Sequence, residues 1–137
     1  MNFISDFSKY SSILEINNTW KLLRAKSAPF VISFLKNIFS KDREVPYEYA
    51  RANLKEFLDD LVNKLSPEDR KQSAKDYLRE WMDRGWLREL DNKLFMTDAA
   101  QKAIDFCARL ENKVVSTSAT HLEILQQEVQ KLYIQVA

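Results

Sequence analysis

Residues 73–98 read SAKDYLREWMDRGWLRELDNKLFMTD, and they hold the only glycine in the chain of 137 residues. Before Gly85, Ala74, Tyr77, Leu78, Trp81 and Met82 recur at helical spacing. After it, Leu87, a polar tip at Asp91-Asn92, then Leu94 and Met96 read as a two-stranded hairpin. A lone glycine between the two is a helix stop, because the residue beyond a C-cap often needs φ > 0, which glycine adopts without steric cost. In a Schellman-type ending Trp86 would lie at C″ against Trp81 at C3, two indoles clamping the helix end. If Asp91-Asn92 is a two-residue turn, position 90 pairs with 93 and 87 with 96. Leu87, Leu94 and Met96 then share the core face, while Trp86, Arg88, Leu90 and Phe95 point the other way. Thr97 or Asp98 starts another helix, with Asp98 and Gln101 at capping-box spacing. Helix, glycine, hairpin, helix is the pattern of a winged helix-turn-helix, a shape that serves both DNA readers and protein-docking modules.

Working upstream, Ser66-Pro67-Glu68-Asp69 supplies an N-cap, a proline at N1 and first-turn acids, and predicts a helix over 67–84. The preceding helix is predicted to start at Pro46 and run to about Leu65. Its buried stripe would be Ala50, Leu54, Phe57, Leu58, Leu61, Val62 and Leu65, and its link to the next helix tight, as in a helix-turn-helix. Val45 fits a short first strand. From Ala28 to about Phe39, after a Ser27 N-cap and with Pro29 in the first turn, a helix is apolar almost all round, so it is either the central core helix or partly an interface. Phe3, Phe7, Tyr10 and Leu14 form one stripe on a first helix, interrupted at Asn17-Asn18 and followed by a short helical piece through Ala25.

Downstream, a helix from 98 to about Lys113 would bury Ala99, Ala103, Ile104, Phe106 or Cys107, and Leu110. Residues 114–120 are a connector. Leu122, Leu125, Val129, Leu132 and Val136 then keep 3-4-3-4 spacing, a heptad seam for another helix. The seam is still apolar at the end of the sequence, which suggests the front piece of a longer protein. The expected layout is an arm over 1–26, a winged-helix domain over 27–113 and a C-terminal helix over 114–137. The whole is mainly α, with extra N-terminal helices, a small β wing and a heptad-bearing last helix.

Net charge is +1, which supplies no global pull toward nucleic acid or an anionic membrane. No apolar run is long enough for a membrane span, and Asp6 and Lys9 break what would be an export signal. Cys107 is the only cysteine and reads as a small core residue, and the single His121 as a surface one. One glycine cannot build a phosphate loop, and the residues expected of a metal site or a catalytic triad do not cluster. We therefore expect no enzyme activity, no cofactor and no metal.

On the 67–84 helix, Lys71, Lys75 and Arg79 form a row beside the apolar arc, and Asp76, Glu80 and Asp83 a second row beside that. This face could read a duplex, dock a protein, or be a solvated mixture. A DNA-binding transcriptional regulator would use Lys71, Lys75, Arg79 and Arg88 on phosphates. Duplex readout is disfavoured, because carboxylates lie near each base.

Three segments in order, WKLLRAKSAPFVISFLKNIF (20–39), AKDYLREWMDRGWLRELDNKLFMTDAAQKAIDF (74–106) and STSATHLEIL (116–125), resemble the N-terminal region of the JetA family. JetA proteins are the kleisin-type subunits of bacterial Wadjet plasmid-defence complexes. The resemblance implies a non-enzymatic module of an assembly similar to the MukBEF condensins, with an SMC ATPase, a small winged-helix accessory subunit and a separate nuclease on other chains. It implies a cytoplasmic, plasmid- or nucleoid-associated place, a homodimer, and DNA touched weakly or indirectly. It further implies that the helices after the winged helix engage the SMC coiled-coil neck, here through Leu122, Leu125, Val129 and Leu132. Phe30, Phe34, Trp86 and Phe95 are the candidates for a dimer or domain interface.

Overall fold

The computed structural model describes residues 1–62, 64, 67 and 72–112. The chain forms two compact units, Met1–Ile104 and Asp105–Ala137. The heptad seam, Lys71, Ser66 and His121 lie outside the described residues.

Helices α1 (Phe3–Ile16), α2 (Asn18–Leu23) and α3 (Ala28–Ile38) precede strand β1 (Glu44–Pro46). Then follow α4 (Tyr47–Asp60), α5 (Ala74–Asp83) and the hairpin β2 (Leu87–Leu90) and β3 (Lys93–Met96). A last helix, α6, spans 98–112. The sheet is antiparallel in the order β1-β3-β2. The fold is mainly α with a small β wing: α3, α4 and α5 form the three-helix set, with β1 between the first two.

The Gly85 joint has the predicted form. Gly85 has φ +79°. Its N–H donates to the Met82 carbonyl at 3.1 Å, and the Trp86 N–H to the Trp81 carbonyl at 2.9 Å, the two bonds of a Schellman ending. A Cβ on Gly85 would also stand 2.5 Å from Asn18 Nδ2, so α2 closes over the same spot. The Trp86 indole Nε1–H donates to the Asn18 carbonyl at 3.0 Å, and the Thr97 hydroxyl to the Gly85 carbonyl at 2.7 Å. The Thr97 hydroxyl oxygen also accepts from the Ala100 N–H, so Thr97, one of the two expected caps, is the cap of α6. Thr19, on α2, donates to the Ala99 carbonyl at 2.7 Å. One joint thus ties together α5, α2, the hairpin and α6.

The hairpin has the predicted register, Leu90 opposite Lys93 and Leu87 opposite Met96. Asp91 and Asn92 have φ of 53° and 63°, as a type I′ turn requires. Val45 pairs with Leu94, and both are buried.

Several boundaries differ from expectation. Helix α4 stops at Asp60, where Asp59 and Asp60 bring negative charge to a C-terminus with no basic residue in its last turn, against the dipole. Its buried residues are Ala50 and Leu54; Phe57, Leu58 and Leu61 are half-buried and Val62 is exposed. Helix α5 starts at Ala74, capped by Ser73, whose hydroxyl accepts from the Asp76 N–H. Residues 61–73 separate α4 from α5, and the tight link expected at Leu65-Ser66 lies outside the described residues. Ser27 occupies the N-cap of α3 but makes no side-chain cap bond.

The core runs through α2 to α6. Phe30 is its hub: it stacks on Phe57 at 5.2 Å and meets Tyr77 and Trp81 edge-on at 5.3 and 5.8 Å, joining α3, α4 and α5. Leu22 is fully buried, so α2 belongs to the body and not to an arm. On α6, Ala100, Ala103 and Ile104 are buried. In the second unit Cys107 is half-buried, while Phe106 and Leu110 are exposed, not core residues.

Candidate docking surfaces

Three of the four interface candidates are core residues. Phe30, Phe34 and Trp86 are 7%, 5% and 1% exposed, and their rings are used internally. Phe34 lies 5.7 Å from Trp81. Trp86 carries the Asn18 bond and has the Arg84 guanidinium over its ring at 5.4 Å. The expectation of outward interface rings is corrected to this extent: α2 covers Trp86 and Phe57 of α4 stacks on Phe30, while Phe30 and Phe34, though buried, line a cleft between α3 and α4. Phe95 is half-buried beside a cleft of about 500 Å3 that Arg43, Arg88, Leu90 and Met96 help to line. Leu90, on the same side of the wing, is 63% exposed.

Among the described residues, α1 carries a run of exposed apolar side chains. No residue of this 14-residue helix is buried. Phe3 and Phe7 are 76% and 73% exposed, and Ile4, Tyr10, Ile13, Leu14 and Ile16 are exposed as well. Sequence spacing reveals the stripe but gives no sign that none of its side chains is buried. Local chemistry holds the helix together: Asn2 caps its start by accepting from the Ser5 N–H. Asn17 ends it and caps α2 by accepting from the Trp20 N–H at 2.8 Å.

A second apolar feature was not anticipated. Between α3 and α4 runs a cleft of about 660 Å3. Tyr49, Asn53, Phe57 and Leu61 line one wall, and Pro29, Phe34 and Ile38 part of the other. Of these, Phe57 and Leu61 belong to the stripe expected to be buried, whereas Tyr49 and Asn53, at the same i, i+4 spacing, lie outside that stripe.

The outward face of α5 is mixed in charge. Lys75, Asp76, Arg79 and Asp83 are exposed. Glu80 pairs with Arg84 at 2.9 Å and accepts from Gln72. Arg51, on α4, pairs with Glu48 at 2.7 Å. Among the described residues Lys75, Arg79 and Arg88 make no ion pair within 4.0 Å, although Asp76, Asp83 and Glu89 lie on the same surfaces. Tyr47 sits close enough to feel this face. Burial, then Glu89, push its phenol above the usual tyrosine range, and Arg51 and Arg79 pull the other way.

Among the described residues no group of three or more His, Cys, Asp or Glu could hold a metal ion. Within the same set, no helix is long and apolar enough to cross a membrane.

Fold and surfaces together define a winged-helix domain with a sealed core and apolar faces left over outside it. By sequence the chain belongs to the family described as protein of unknown function DUF3375, which matches residues 13–137. A search of curated proteins gives no match.

Proposed function

We propose that this chain is a non-enzymatic architectural module: the N-terminal winged-helix domain of a Wadjet-type kleisin, mediating self-association and docking onto the coiled-coil neck of an SMC ATPase. The observation that carries the reading is α1, a whole helix whose apolar side chains are all solvent-exposed. A contiguous apolar face of that kind marks a surface for another polypeptide. The sequence resemblance to JetA proteins supports the partner class, and Leu122, Leu125, Val129 and Leu132 are assigned to the neck contact on that resemblance. The small winged-helix accessory subunit is a further partner on the same ground. The chemistry of the complex, ATP hydrolysis and DNA cleavage, belongs to other chains in this reading, which places the module in the bacterial cytoplasm near plasmid or nucleoid DNA.

The test is a pull-down of the chain with an SMC head–neck fragment, alongside light scattering. Capture of the fragment, lost in a Leu125→Asp/Leu132→Asp variant, is the expected result. A strictly monomeric chain that ignores the fragment would sink the proposal.

A second reading, a DNA-binding regulator, is favoured by one observation: the ion-pair-free bases Lys75, Arg79 and Arg88 on α5 and the wing. Phosphate contacts by these residues would make affinity fall with salt, by about 0.9 log units per log unit of salt for each phosphate neutralised. A gel-shift series over salt concentration separates the readings, since Asp76, Asp83 and Glu89 on the same surfaces should keep such binding weak in the docking module.

A further inference from the structure

We infer that the α3/α4 cleft is the seat for α1 of a second copy of this chain, exchanged reciprocally, so that each protomer gives a helix and receives one. The inference rests on the self-association part of the reading above and specifies its contact.

The two surfaces match in length, pattern and polarity. On α1, Phe3, Phe7, Tyr10 and Leu14 fall within one narrow arc of the helix, and Phe3 to Leu14 spans ~16 Å at about 1.5 Å per residue. On the cleft, Tyr49, Asn53, Phe57 and Leu61 step along one wall over ~18 Å by the same rise. Pro29, Ser33 and Asn37 take equal steps along the facing wall. An apolar stripe at i, i+4, i+7, i+11 laid between two such walls is the helix-in-groove mode of recognition. Ser5, Ser8 and Ser12 occupy the reverse side of α1 and would stay in water.

Two of the polar groups of the cleft are turned away from a guest: Asn37 and Asn53 fold their amides back onto their own helices, donating to the Ser33 and Tyr49 carbonyls at 2.7 and 2.8 Å. The apolar lining left open to a guest is Pro29, Ile38, Tyr49, Phe57 and Leu61, while Phe34 is buried beneath it. Lys64 also lines the cleft and can keep its ammonium in water at the end of its flexible stem.

Area argues for exchange over a single contact. A specific interface buries roughly 800 Å2 on each partner. One three-turn helix face seated once falls short of that. Reciprocal seating makes each protomer contribute both a helix and a cleft, which doubles the area. Among the described residues α1 does not seat in the cleft of its own protomer, since every apolar side chain of α1 is exposed. The Asn17 double cap and the buried Leu22 fix where α1 departs from the body.

The experiment uses light scattering and analytical ultracentrifugation on the 137-residue chain and three variants. Phe7→Asp puts a charge in the α1 stripe. Ser33→Arg, at an exposed position on the cleft wall, blocks the seat without disturbing the core, and Asn37→Arg repeats the block one turn on. The expected result is a wild-type dimer and a dissociation constant at least about 30-fold weaker in each variant, the size of a hot-spot loss. Mixing Phe7→Asp with Ser33→Arg should restore mixed pairs in part, because one intact helix then meets one intact cleft. Circular dichroism checks that each variant folds. Wild-type dimerisation in either class of variant overturns the seating while leaving self-association standing. A monomeric wild type overturns both.

Discussion

Gly85 shows how much one residue can decide. Its positive φ ends α5 and aims Trp86 at α2, and its carbonyl receives Thr97 at the start of α6. An alanine there would have to hold a left-handed conformation that L residues adopt at a cost. The close atom of Asn18 is the end of a flexible side chain and can move, so backbone strain dominates. Gly85→Ala should lower unfolding free energy by about 1–2 kcal/mol. Adding Asn18→Ala should recover only a minor part, since the Asn18 carbonyl that accepts from Trp86 is retained. Urea unfolding of the two variants measures this; full recovery in the double variant would place the cost in the steric contact instead. Much of this residue-scale detail was legible in the sequence, because a single glycine between a helical and an alternating pattern admits few other roles. The destination of the Trp86 indole was not. The pattern placed Trp86 at the helix end against Trp81, whereas its polar edge is satisfied by a backbone carbonyl 68 positions away.

At the scale of elements, short-range chemistry was the reliable guide where one signal stood alone, and misled where two competed. Asp91-Asn92 set the hairpin register because both residues tolerate positive φ. The proline and acids after Ser66 point to a helix start there, a position outside the described residues, and overshadow Ser73. Ser73 caps α5 in the fold, since starting there places Ala74, Tyr77, Leu78 and Trp81 in the core. The status of α2 was likewise invisible: a six-residue helix has no periodicity to read, yet its Leu22 is among the most deeply buried side chains. Leu22→Ala should therefore destabilise the domain by about 2–5 kcal/mol, the range for a buried leucine. Thermal unfolding gives the answer, and a change below about 0.5 kcal/mol would show that α2 is peripheral.

For the whole molecule the contrast is between a body with an aromatic core and a helix, α1, that buries none of its side chains. Removing residues 1–15 takes away no buried side chain and keeps Asn17 to cap α2. At low protein concentration the truncated chain should unfold within about 0.5 kcal/mol of the intact one. At high concentration the intact chain alone should gain thermal stability as concentration rises, the mass-action signature of a partner that binds only the folded state. Calorimetry across a concentration series checks both. A large loss at low concentration would mean that α1 supports the body directly.

The amino-acid order alone determined the helices' apolar faces, the glycine stop, the turn and its register, because each depends on backbone sterics and spacing within a few residues. Only the tertiary structure decided which apolar faces are covered. Phe30, Phe34 and Trp86 turned inward while Phe3, Phe7 and Leu90 did not, and no local pattern distinguishes the two groups. Burial is a property of what lies opposite a side chain, and what lies opposite here comes from residues far away along the chain.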